Sequence, residues 1–126
     1  MAAKSTTTDN LVLNFLLGGA TATAPAGRYV ALLTGVTSIP AATVTEVSGG
    51  SYARQSCAWN AASGGSATNS SALTFTALPS CTLTNFAIYD AATAGNLLYV
   101  GTMTSQAVSA GNGVSVAAGA LTVSES

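Results

Sequence analysis

Beyond Gly19 the apolar residues of this chain fall into short runs cut by clusters of Gly, Ser, Asn and Pro. That rhythm is one of strands and turns, not of helices. "RYVALLTG" (Arg28 to Gly35) is apolar at successive positions, as a central strand covered on both faces would be. "SYARQSCAW" (Ser51 to Trp59) follows a glycine turn and predicts a second strand. "NAASGGSATNSS" (Asn60 to Ser71) is polar and turn-rich throughout and predicts a loop. In "ALTFTA", Leu73 and Phe75 alternate with Thr74 and Thr76, so one face is buried and the other wet. "CTLTNFAIYD" (Cys81 to Asp90) predicts a longer strand whose apolar phase changes between Leu83 and Phe86, which implies a bulge. "LLYVGTM" follows a short linker. In "GVSVAAGALTVSE" the phase of Val114 and Val116 gives way to that of Leu121 and Val123, with Gly119 at the slip as a bulge or a hairpin turn. About seven or eight strands at regular spacing predict an all-β fold, a β-sandwich of jelly-roll type. No repeat of solenoid or propeller length interrupts it.

The first residues read differently. Residues 1–10 are polar and predict an extended N-terminal arm, and residues 11–126 a single domain with a short leading helix. That helix is "NLVLNFLLGG", with Thr8 or Asp9 as N-cap and Gly18 or Gly19 as its stop. Lys4 before the run and "ATATA" after it also fit a signal peptide, against which stand Asp9 and the break at Asn14. The run is far short of the roughly 20 residues that span a bilayer.

Charge changes the picture most. Only 6% of the residues are charged, against roughly a quarter in a typical soluble domain. Little repulsion then opposes association, and the surface suits contact with neighbours. Three scattered cations give no footprint for nucleic acid and no polybasic attraction to a membrane.

Candidate chemistry is sparse. Without histidine the usual triads, imidazole bases and histidine metal sites are absent, and no cofactor is expected. Cys57 and Cys81 belong to no metal-ligand spacing; they are two buried thiols, a bridge within the chain, or a bridge between subunits. Glu46 and Asp90 are the only carboxylates placed to act as a glycosidase pair, yet each sits beside a glycine-bearing turn, and Asp90 reads as a turn-former. Glu46 and Arg54 flank Gly49–Gly50. In a strict hairpin they lie on opposite faces; in a wider loop they meet as an ion pair or a subunit contact. Carboxylate recognition by Arg54 is the functional alternative. Tyr29, Tyr52, Trp59, Tyr89 and Tyr99 are a sugar platform or, as aromatics on strands more often are, core and interface residues. "GNLLYVG" and "GNG" lack the lysine and the strand–loop–helix setting of a phosphate loop. The chain reads as no enzyme.

The string "YVALLT … TEVSGGSYARQ … LTFTA … NFAIYDAATAGNLLYVGTM … VSAGNGVSVAAGALTVS" resembles a family of small proteins of tailed bacteriophages and prophages. The likeness runs from about Tyr29 to Ser124, with "SYARQ" and "IYDAATAGNLLYVG" as its most specific parts. Thr34 and Gly35 stand where members often carry histidine and threonine, and Asn112 where an acidic residue is common. The resemblance implies a β-rich virion structural protein made in the host cytoplasm, with self-association, most commonly as a homotrimer. The reading taken from it is a capsid decoration (cement) protein that staples neighbouring major capsid subunits on the outer surface of the head, with a tail-fibre or receptor-binding protein that contacts host glycans as the alternative. For the cement role the major capsid protein is the expected partner, and Leu11, Val12, Phe15 and Leu16 of the leading helix the expected docking residues.

Overall fold

The structure, a computed structural model, describes residues 3–19, 21, 24–37 and 43–124. Its elements in chain order are β1 (Ala3–Lys4), α1 (Thr6–Leu16), β2 (Tyr29–Val36), β3 (Val44–Glu46), β4 (Gln55–Ser56), β5 (Ser66–Thr68), β6 (Leu73–Phe75), β7 (Cys81–Tyr89), β8 (Leu97–Val108), β9 (Val114–Val116) and β10 (Thr122–Ser124). All pairings are antiparallel. A six-stranded sheet runs β1-β8-β7-β2-β3, with β4 also on β2, and two ribbons, β10-β5 and β6-β9, complete the β structure. The fold is thus mostly β with one short helix. Among the described residues the pairing is one six-stranded sheet and two ribbons, not the two four-stranded sheets of the expected jelly roll.

β2 is central because Val30, Ala31, Leu32 and Leu33 leave no face for water; each is at most 1% exposed. Val30 and Leu32, with Leu83, Phe86 and Ile88 of β7, meet Leu73, Phe75, Val114, Val116, Leu121 and Val123 from the two ribbons in the main core. Ala31, Leu33, Ala87, Tyr89 and Val100 form a smaller cluster on the other face of the sheet. The phase change in β7 is real: its register against β8 shifts between Leu83 and Asn85.

Several elements depart from the pattern. Over its described part the expected arm does not leave the domain: Ala3–Lys4 pairs with Val100 and Tyr99, and the helix begins at Thr6. Ser5, not Thr8 or Asp9, is the N-cap, its hydroxyl accepting from the Thr8 N–H. The helix starts early because the same hydroxyl donates to the Leu97 carbonyl, and Thr8 Oγ1 donates to the Leu98 carbonyl at 2.7 Å. Hydroxyls that read as solvated arm instead nail the first turn to β8. Met1 and Ala2 lie outside the described residues.

The polar Asn60–Ser71 stretch also folds. A turn at Gly64–Gly65 lets Ser63 bridge Ser66, and β5 pairs with β10. Asn69 is fully buried; its Oδ1 accepts from the Leu121 N–H, and its Nδ2 donates to the Ser71 and Ala117 carbonyls. Hydrogen bonds, not apolar contacts, organise this segment, so hydropathy is silent about it. Gly119 (φ +81°) makes a turn, yet β9 and β10 do not pair with each other; they go to separate ribbons.

Candidate functional site

Glu46 and Arg54 do meet, through a route the glycine pair alone does not reveal. β3 pairs with Val36, Gly35 and Leu33, and β4 with Val30 and Tyr29, both antiparallel to β2. They are therefore collinear pieces of one edge strand, and residues 47–54 are an excursion from it. No hairpin pairs 45 with 54. At the gap the ladder is patched: the Leu32 carbonyl accepts from the Val47 N–H at 3.0 Å, and the Leu32 N–H donates to the Tyr52 hydroxyl at 3.1 Å.

The excursion is folded by its own side chains. Tyr52 donates to Glu46 Oε2 at 2.6 Å and stacks on Phe75 of the core, ring centroids 6.1 Å apart. Gly50 (φ +58°) lies so close to the Ala77 carbonyl that a Cβ there would sit 2.4 Å from the oxygen, and the neighbouring Ser51 N–H bonds that carbonyl. Arg54 grips both carboxylate oxygens of Glu46, Nε to Oε2 and Nη2 to Oε1, each at 2.9 Å. Its Nη1 donates to the Ala91 and Ala94 carbonyls, and its guanidinium lies 3.6 Å from the centre of the Tyr89 ring. This planar, five-donor fork serves a carboxylate, two carbonyls and an aromatic face at once.

The loop it grips, residues 90–96, is closed by Asp90. Its Oδ1 accepts from the Asn96 N–H at 2.7 Å and its Oδ2 from Asn96 Nδ2 at 3.0 Å, while Ala94 and Gly95 take positive φ. Burial pushes the Glu46 carboxyl up, but the hydrogen bonds from Arg54 and Tyr52 and the Arg54 charge outweigh it, and the group is held below its ordinary value. Hydrogen bonds from Asn96 likewise lower Asp90. Burial and the Glu46 bond push the Tyr52 phenol far up, so it stays protonated as a donor. "SYARQ" and "IYDAATAGN" are thus two halves of one junction centred on Arg54, whose side chain is 9% exposed. Both carboxylates are occupied by bonds that hold loops.

The other singled-out residues lie elsewhere. Cys57 and Cys81 are free thiols in the structure. Cys57 is in the core, where burial pushes its thiol up and away from the reactive thiolate; Cys81 is half-buried against the same core. The five aromatics form no common platform: Tyr52 and Tyr89 serve the Arg54 junction, while Trp59 and Tyr99 line a separate cleft of about 350 Å³. Leu98, Ile88 and Tyr99 of the sheet form one wall of it, Ala67 and Val123 of the β5–β10 ribbon the other, and Arg28 lies among its lining residues. No pattern in the sequence announced this cleft, because its walls come from distant segments.

Of the expected docking residues on α1, Leu11, Phe15 and Leu16 are 42%, 53% and 67% exposed, and Val12 is half-buried. Leu13 and Leu17 of the same apolar run are exposed as well. The helix is bonded to the sheet through its first turn, and its apolar second half overhangs. Among the described residues no helix is long and apolar enough to cross a membrane, and no group of His, Cys, Asp or Glu could hold a metal ion.

The antiparallel β domain thus ties Glu46 and Asp90 into its own loops and leaves an apolar helix face uncovered. A family model described as podophage GP4 fiber I protein gp80 matches residues 3–124. The chain belongs to that family, and so to the small structural proteins of bacteriophage virions. No curated protein matches it.

Proposed function

We propose that the protein is a non-enzymatic component of a podophage tail fibre, a β module whose uncovered surfaces join it to other virion subunits. The word "fiber" in the family description sets this reading ahead of capsid cement. The observation that carries the contact role is the overhanging α1, with Leu13, Phe15, Leu16 and Leu17 more than half exposed. Such a patch is stabilising only when another surface covers it. Non-enzymatic action is supported by the bonding of Glu46 and Asp90, the two carboxylates best placed for acid–base work, which Arg54, Tyr52 and Asn96 already engage.

Capsid cement is the second reading, since an overhanging apolar helix would also suit a staple docked on the major capsid protein. Copy number separates the two. Densitometry of purified virions against the major capsid protein should find a few tens of copies or fewer for a fibre; hundreds would overturn the fibre role. Virions lacking the protein should keep heads of normal heat resistance and lose adsorption to the host. Weakened heads with adsorption intact would reverse the assignment to cement.

A further inference from the structure

The chain carries two apolar surfaces that its own fold leaves open, and each has what the other lacks. One is the cleft between the sheet and the β5–β10 ribbon, about 350 Å³, walled by Trp59, Ile88, Leu98, Tyr99 and Val123. A sugar there would strand its hydroxyls against apolar walls, and an acyl chain in an open cleft would stay half wet. Large apolar side chains projecting from a neighbouring surface suit it better.

The other is α1. Asp9, Val12, Leu13 and Leu16 stand at i, i+3, i+4 and i+7 and so share one face of the helix. That stripe is apolar with a carboxylate at its N-terminal end, about 10 Å along the axis from Leu16. Leu13 and Leu16 are 52% and 67% exposed.

Charge completes the match. Arg28, among the residues lining the cleft, is exposed and has no hydrogen-bond or ion-pair partner for its guanidinium among the described residues. Glu46 is gripped by Arg54, and Asp90 by Asn96. Asp9 has only a 3.9 Å contact with Lys4, both side chains partly exposed, a pairing of little strength. Among the described acids, Asp9 is the one available to a second guanidinium.

We infer that α1 of one copy docks in the Trp59–Tyr99 cleft of the next, Leu13 and Leu16 entering the apolar walls and Asp9 pairing with Arg28. The contact is heterologous, because helix and cleft are different surfaces. Repeated, it closes a ring if the rotation closes and otherwise builds a filament. It applies equally to subunits on a fibre or a head, so its fate is independent of the copy-number result.

Charge exchange on the full chain tests it. Sedimentation velocity across micromolar concentrations reads association, and emission from Trp59, the chain's one tryptophan, reads filling of the cleft. Arg28→Glu and Asp9→Arg should each weaken association about tenfold or more, with wild-type thermal unfolding. Mixing the two variants should restore it. The helix of Asp9→Arg then meets the cleft of Arg28→Glu with the charges exchanged, and the opposite pairing of helix and cleft is wild type on both sides. Leu16→Asp should abolish association, and the Trp59 shift with it. A wild type that stays monomeric to about 100 µM would overturn the inference and leave the cleft to another virion protein. So would variants that associate normally, or a mixture that fails to recover. Loss with Leu16→Asp but with neither charge variant would mean that helices pair with helices, which also overturns it.

Discussion

At the scale of single residues, Arg54 does the most. Its guanidinium joins two segments distant in sequence: Glu46 on the edge strand, and the end of β7 with the loop that follows it, through the Tyr89 ring and the Ala91 and Ala94 carbonyls. Because the side chain is nearly buried, removing it leaves Glu46 without its counter-charge and two carbonyls without donors. Arg54→Ala should therefore cost about 3 kcal/mol in urea unfolding. Arg54→Lys should recover only a minor part, since an ammonium cannot serve both carboxylate oxygens, two carbonyls and a ring face. Full recovery by lysine would mean that charge alone matters there. Asn69 plays a comparable role between β5 and β10, where one amide replaces the ladder that a longer strand would supply.

At the scale of elements, the β7–β8 pair is the spine, and its close packing depends on Gly101. A Cβ at that position would lie 2.3 Å from Phe86 Cε1 and Cζ, in the middle of the core. Phe86 is 2% exposed and hemmed in by both ribbons, so it has little room to yield. Gly101→Ala should destabilise by about 2 kcal/mol through overpacking, read as a fall in the thermal midpoint. Gly35→Ala is the control: its Cβ would meet nothing within 4 Å, and it should stay within about 1 kcal/mol of wild type. α1 belongs to the same scale. Two hydroxyl bonds and the Ser5 N–H fix its first turn to β8, while the apolar side chains of its second half stay exposed.

At the scale of the molecule, the depressed carboxyls link stability to pH. Glu46 and Asp90 hold their negative charge in the folded chain below the pH at which an unfolded chain takes up protons. The unfolded state binds more protons in that window, so stability rises with pH through it. The contribution is complete above the ordinary carboxyl values of about 4 and is lost as pH falls toward the lowered folded ones. Urea midpoints should be flat near neutrality and drop on acidification below about pH 4.5. Glu46→Gln, less stable throughout, should show a shallower drop. An equally steep drop in the variant would place the acid sensitivity elsewhere.

Three features were legible in the chain alone: the β class, a central strand expected over Arg28 to Gly35 and found at Tyr29–Val36, and the bulge in β7. Each of these is a local pattern: short apolar runs between turn clusters, two-sided hydropathy, a phase change between Leu83 and Phe86. Family membership was legible for the same reason, since "SYARQ" and "IYDAATAGN" are contiguous strings, and α1 was legible as an apolar run. The Arg54 junction was only half legible, because the glycine pair allows a hairpin and an excursion alike. The folded sheet settles the choice by giving β2 an edge where the patch at Leu32 and the stack of Tyr52 on Phe75 favour the excursion. The fate of residues 3–10 and 60–71 was likewise tertiary. Serine, threonine and asparagine take their structure from whichever carbonyls and N–H groups are brought to them, here those of Leu97, Leu98, Ala117 and Leu121. The cleft was beyond any reading of the chain, because Arg28, Trp59, Tyr99 and Val123 become neighbours only when sheet and ribbon close on each other.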